Sequence, residues 1–370
     1  MANADGHNEQ CTMYNVQWKK VKLGNCLNIG NGCDYKHLKE GDIPVFGTGG
    51  IMTYVDSYLY DGETVCIGRK GTINHPMYHK GKIWTVDTLF YTHSFIDVIP
   101  KFVYYAFCNI DWNKYNEATG VPSLSKETIY KIEISVPSLP AQRRIAAILS
   151  AADKVIEQTR QLIGKYKSIK QGMMEDLLKP KEGWKKVKLG DCCITELGKT
   201  LDEGRNTGEY RPYLCALNVL WGKIDRTTIK QMRIEDDELN RYAVKKGDLL
   251  VCEGGEIGRC AIWDYDDTMY YQNALHRVRF FNGYDSMFFM YLLCYYNDLN
   301  LLEQHGKGLT IKHLNQTSFR SIPVSVPDLS EQRRLAKILS GIDRKIEAEE
   351  KVLEKYEKMK TGLMERLLKE

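Results

Sequence analysis

The chain has 370 residues, 43% of them hydrophobic and 27% charged, with a formal net charge of +4. This is the ordinary composition of a soluble globular protein, large enough for more than one core, and a two-domain cytoplasmic protein is expected. No apolar run approaches the roughly 20 residues of a membrane span, and the opening MANADGHNEQ lacks the apolar centre of a signal peptide. The eleven cysteines include no C-x-x-C pair and are odd in number, which points to reduced thiols and not to a disulfide framework or a zinc site.

In chain order, residues 1–14 form a polar tail, 15–135 a first globular domain, 136–179 a helical repeat, 180–325 a linker and second globular domain, and 326–370 a second helical repeat. The division rests on a duplication. The segment beginning Val136-Pro137 returns at Val326-Pro327 with a shift of 190, and about half of the 44 positions are identical. The opening Trp18-Lys19-Lys20-Val21-Lys22-Leu23-Gly24 returns at Trp184 with a shift of 166, so the second copy carries about 24 extra residues. Two long repeats describe a pseudo-twofold molecule, not a solenoid.

Both globular segments are rich in Tyr, punctuated by Gly, and contain β-branched runs such as Glu63 to Gly68 and Asp248 to Cys252, which read as strands. At a shift of 186, Val65-Cys66 matches Val251-Cys252 and Leu89 matches Leu275, so the two share a frame while their surfaces differ. The expected fold class is α+β: two mixed domains separated by two long antiparallel helices in a coiled coil. Residues 26–135 and 192–325 each carry a net charge of −2, and the first helical repeat carries +4. Neither domain can hold DNA by bulk charge alone, because neutralised phosphates supply most non-specific affinity.

The helical repeats carry apolar residues at steps of three and four. Ile145, Leu149, Ala152, Ile156 and Ile163, followed by Tyr166, Ile169, Met173 and Leu177 with the polar Thr159 filling one gap, correspond at the 190 shift to Leu335, Leu339, Ile342, Ile346 and Leu353, followed by Tyr356, Met359, Leu363 and Leu367 with Glu349 in the gap. A mean spacing near 3.5 is a coiled-coil seam. Pro140 marks the first helix start and Ser330 is the expected cap of the second; about 38 residues give a length of about 57 Å. Because the seam occurs twice in one chain, the helices are expected to pack on each other, pairing between molecules being the alternative.

Several loops offer groups suited to nucleic acid. Arg69, Lys70, Thr72, Asn74 and His75 lie on a glycine-flanked turn, and Lys126 ends a loop before the first helix. In the second domain the corresponding candidates are Arg259, Gln272, Asn273, Arg277, Arg279, Lys307 and Lys312. Arg and Lys donate to guanine edges, Asn and Gln to adenine, and any of them to phosphate. Alternate strand residues face opposite ways, so about half of the 272–279 group is expected to be structural.

Catalytic signals are missing. Gly198-Lys199-Thr200 ends like a phosphate-binding loop, but Cys193 stands where the leading Gly belongs. There is no [Asn/Asp]-Pro-Pro-[Tyr/Phe], HExxH or GxSxG. The acidic pairs Asp236-Asp237 and Asp266-Asp267 read as solvated loops.

The W-x-x-V-x-L-G-[DN]-C opening of each half, and helices beginning PSLPAQRRI at Pro137 and PDLSEQRRL at Pro327, resemble the DNA-specificity subunit of Type I restriction-modification systems over roughly residues 15–370. Ala141 replaces the usual Glu of that signature. The resemblance implies that each domain reads one half of a bipartite double-stranded DNA site. The helices would set the spacer and dock two methylase subunits, with restriction subunits added in a full complex. It implies no chemistry on this chain and no cofactor; S-adenosylmethionine, ATP and Mg would belong to partner subunits. A recognition subunit of a Type IIB-like fused system and a coiled-coil scaffold that binds protein are the competing readings.

Overall fold

The computed structural model describes residues 17–202, 204–306 and 312–369. The chain divides into two compact units, Met1–Gln161 with Lys351–Glu370, and Leu162–Glu350. Two long helices, Leu139–Leu178 and Leu329–Leu367, run through the division. Each unit therefore holds one sheet domain, part of its own following helix and part of the other. Among the described residues, no helix is long and apolar enough to cross a membrane.

In the first unit, strand Lys19–Lys22 pairs antiparallel with Glu133–Val136, closing the domain just before the long helix begins. Between them lies a six-stranded mixed sheet in the order Asn28–Asn31, Leu89–His93, Tyr60–Gly68, Met77–Thr85, Ile43–Gly47 and Gly50–Val55. Helix Pro100–Cys108 covers it, with Phe102, Val103 and Phe107 buried against Val65 and Ile67. Ile145, Leu149 and Leu367 from the long helices join the same core.

The second unit repeats this plan. Lys185–Lys188 pairs with Pro323–Val326, and helix Ser286–Asp298 packs its Phe288, Phe289 and Leu293 with Leu335 and Leu339. Its strands form two four-stranded sheets. One runs Cys193–Leu197, Leu275–Phe280, Leu249–Cys252 and Cys260–Ile262; the other runs Lys230–Ile234, Glu209–Leu214, Met269–Tyr271 and Ala243–Val244. The repeat shift rises from 166 at Trp184 to 186 at Val251, so twenty of the extra residues fall between these points. Strands Glu209–Leu214 and Lys230–Ile234 occupy that stretch.

Within each unit the two helix segments run antiparallel. In the first, Asp153 meets Lys360 and Arg160 meets Glu357; in the second, Lys167 meets Glu350 and Lys170 meets Asp343. Of the expected seam, Ile145, Leu149, Ile156, Ile163, Leu335, Leu339 and Ile346 are buried and Leu353 is partly buried. Each fully buried aliphatic contributes about 1.5–3 kcal/mol. Ile169 and Met359, equivalent in the repeat, depart from the expectation, being 40% and 48% exposed. Their neighbours Lys170 and Lys360 turn inward to the aspartates instead. The expected cap also moves by two residues: the second helix starts at Leu329, so Asp328 precedes it and accepts from the Glu331 N–H at 3.0 Å. Ser330 lies inside the first turn and donates to the same Asp328 oxygen.

Two polar devices attach each domain to its helices, and both recur in the repeat. Gln142 is fully buried; its Oε1 accepts from Ile99 N–H at 2.9 Å and its Nε2 donates to the Asp97 and Pro137 carbonyls. Gln332 does the same with Asp285 N–H at 2.9 Å and the Pro327 carbonyl at 2.9 Å. Tyr105 donates to Asp153 at 2.7 Å, and Asp153 also holds Lys360 at 2.5 Å. The counterpart is Tyr291 to Asp343 at 2.6 Å, with Lys170 at 2.6 Å. Burial foremost pushes both phenols well above the ordinary tyrosine value, so each stays a protonated donor.

A Gln332→Met change keeps the side-chain volume but strands the Asp285 N–H and the Pro327 carbonyl. It should cost about 1–3 kcal/mol in urea unfolding. An unchanged midpoint would show that the clamp carries no stability.

Candidate nucleic-acid interface

In the first unit, the turn after strand Tyr60–Gly68 is built by close backbone contact. A Cβ on Gly68 would stand 2.2 Å from the Thr72 carbonyl oxygen, and Gly71 has φ +97, so both positions require glycine. Arg69 and Lys70 N–H groups donate to Thr88 O, while Gly71 N donates to Pro122 O and Leu124 N to Arg69 O. These bonds seat loop 116–125 on loop 69–71. Asn116 Oδ1 braces the loop by accepting from the Ala118 and Ser123 amides, and Ser125 caps helix Lys126–Lys131 through Thr128 N–H.

The consequence is one surface. Arg69, Lys70, Thr72, Asn74 and His75 are exposed on a turn anchored by the buried Ile73, and the half-buried Lys126 stands beside it. Arg69 and Lys126 approach the Phe90 ring from 6.0 and 5.9 Å, and Arg69 donates to the Asp87 carbonyl. Among the described residues neither forms an ion pair with a carboxylate. His93 lies close by, and burial foremost, with the Lys126 charge, lowers its pKa.

The second unit places its candidates differently. Arg277 is 5% exposed and donates to the Arg241 and Ala243 carbonyls at 2.8 and 2.5 Å while pairing with Glu196. Burial, with Arg279 alongside, pushes its pKa down to about 10. Arg279 grips Asp248 with two bonds of 2.7 and 2.6 Å, and Arg259 is held by Glu256 and the Ala216 carbonyl. Lys312 pairs with Glu303 at 3.5 Å. Lys307 lies outside the described residues.

These placements correct the sequence reading at Arg277. Arg277 and Arg279 share one face of strand Leu275–Phe280, a strand paired on both sides, and a charge buried there must be matched. Arg277 therefore holds the fold and is out of reach of a ligand. Gln272 and Asn273 do not lie on that strand but in the tight turn before it, where Ala274 has φ +81 and Asn273 Nδ2 donates to Thr200 Oγ1. Lys199, the discarded phosphate-loop lysine, is buried between Glu235 at 2.7 Å and Glu238. Among the described residues no group of His, Cys, Asp and Glu is arranged to hold a metal ion.

A turn surface with free donors and a twice-repeated mount are thus present, and both halves of the chain match one family. Residues 15–165 and 181–358 both match the model described as the Type I restriction modification DNA specificity domain. The chain belongs to that family. A putative type I restriction enzyme specificity subunit from Haemophilus influenzae is 25% identical over 347 residues, covering 89% of this chain and 88% of the relative. The type I restriction enzyme MjaVIII specificity subunit of Methanocaldococcus jannaschii is 26% identical over 341 residues, covering 84% and 77%. Among solved structures, the type I restriction-modification S subunit from M. genitalium superposes with a TM-score of 0.70 at 17% identity, covering 98% of both chains. A chain from a type I system solved for its assembly and conformational transition gives 0.59 at 14% identity, covering 96% of this chain and 99% of that one.

The repeated mount of this chain is carried by polar positions that the apolar-seam reading passed over. Gln142, Asp153 and Lys170 recur unchanged as Gln332, Asp343 and Lys360, a signal present in the repeat itself. An outward groove containing Tyr210, Gln231 and Arg233 was also missed, because only the pairing of its two strands sets Tyr210 opposite Arg233.

The internal and surface arginines should separate on mutation. Arg277→Met leaves Glu196 and two carbonyls unpaired and should lose about 3 kcal/mol of stability. Arg69→Ala should stay within about 0.5 kcal/mol of the parent. Thermal melting of both variants decides this, and equal stabilities would contradict the assignment.

Proposed function

We propose that the chain is the non-catalytic specificity subunit of a Type I restriction-modification complex, each domain reading one half of a bipartite double-stranded DNA site. The observation that carries this reading is the duplicated mount, Gln142 with Tyr105–Asp153–Lys360 and Gln332 with Tyr291–Asp343–Lys170, under two domains whose outward loops differ. Such an arrangement supports two readers fixed to common helices, whose length would set the unread spacer.

The helical repeats dock two methylase subunits in this proposal, and restriction subunits complete the endonuclease. The positively charged first helical repeat faces those partners or the DNA backbone, supplying attraction that domains of net −2 do not. S-adenosylmethionine, ATP and Mg belong to the partner subunits, and the complex works in the cytoplasm. Adenine-N6 methylation and ATP-dependent cleavage are activities of that assembly.

Co-expression with a Type I methylase subunit encoded beside it, followed by mapping of N6-methyladenine in host DNA, tests the proposal. A new two-part motif with a fixed unread gap is expected. No new methylation, with both subunits shown to be expressed and associated, would leave the scaffold reading in its place.

A further inference from the structure

The second domain's inner arginines are spent on the fold, so its reading groups must lie elsewhere. A strand pair that corresponds to Ile43–Gly47 and Gly50–Val55 of the first domain, but carries different side chains, supplies a built groove. Strands Glu209–Leu214 and Lys230–Ile234 pair antiparallel, with Tyr210 opposite Arg233 and Pro212 opposite Gln231. Alternation sends Met232 and Ile234 into the core and leaves Gln231 and Arg233 exposed on the outward face. Tyr210 is 60% exposed, and the Arg233 guanidinium lies 4.9 Å from its ring centre. Together with Leu201 and Asn206 these residues line a concave surface.

Two features separate this groove from an ordinary polar surface. First, its rim is held in place: Lys199 pairs with Glu235, Thr207 N–H donates to the same carboxylate at 2.8 Å, and Asn206 Nδ2 donates to Thr200 O. Preorganised rims are what specific recognition needs. Second, the arginines at 211, 226, 259, 277 and 279 all contact a carboxylate. Arg233 has no such partner among the described residues, and its guanidinium lies over the Tyr210 ring. Strand Lys230–Ile234 is also an edge strand, open to approach on its unpaired side.

Resting on the DNA-reading function above, we propose that Gln231 and Arg233 contact base edges for the second half-site, with Tyr210 as the positioning residue for Arg233. Arginine takes guanine O6 and N7 with two bonds, and glutamine takes adenine N6 and N7 in the same way, which suits one short strand presenting both. Different side chains on corresponding strands then account for why the two domains read different sequences on one frame.

The test is the N6-methyladenine map of the assembled methylase complex carrying Arg233→Ala, Gln231→Ala or Arg233→Lys, each checked for an unchanged melting temperature. For either alanine variant, methylation at parental sites should fall roughly ten- to a hundred-fold. One base position should relax in one half of the motif, while the other half stays as before. Arg233→Lys keeps the charge but not the two-bond geometry, so it should relax the same position as Arg233→Ala. Correctly folded alanine variants with parental motif and rate would overturn the assignment, as would full rescue by lysine, which would make Arg233 a phosphate contact. A parental complex without any methylation would instead remove the function on which the proposal rests.

Discussion

The rest of the structure depends on a buried hydrogen-bond clamp at the root of each long helix. Gln142 and Gln332 each fill a site where one amide must satisfy a backbone N–H of the sheet domain and carbonyls at the helix approach. An amide has the donors and acceptor for this, and an apolar residue there would leave several buried groups unpaired. Further along, Asp153 and Asp343 each bind a tyrosine from the domain helix and a lysine from the other repeat. One carboxylate thereby joins three elements. Each domain is thus tied to its helices at two separate points.

Charge is distributed with the same economy. In the second domain Arg277, Arg279 and Lys199 are consumed by Glu196, Asp248, Glu235 and Glu238. Their role is to hold strands and loops whose outer faces carry the free donors. In the first domain the free donors sit on the Arg69 to His75 turn, where glycines 68 and 71 permit the close backbone path. Each domain nonetheless carries a net charge of −2, so bulk charge alone does not hold DNA to it.

Much of this was legible in the sequence because repetition reports on structure directly. The 190-residue shift located both long helices to within a residue of their starts at Leu139 and Leu329, and seam residues from Ile145 to Ile163 are buried. The seam failed at Ile169 and Met359, where an ion pair won the inward position from an apolar residue. Periodicity counts hydrophobes and does not see a half-buried Asp–Lys pair. The reading of Arg277 failed for a related reason: a basic residue on a strand looks like a DNA contact until the pairing of both strand edges and the partner Glu196 are known. The groove at Tyr210 and Arg233 was illegible because cross-strand register, not sequence spacing, brings these residues together.

The central claim is that two different readers stand on one repeated mount. Its most direct test replaces residues 191–325 by a second copy of residues 25–135, joining at the shared Leu-Gly and Val-Pro junctions, and maps methylation by the assembled complex. The account predicts that both halves of the motif become the half read by the first domain. Persistence of the original second half, or a motif unrelated to either, would contradict it.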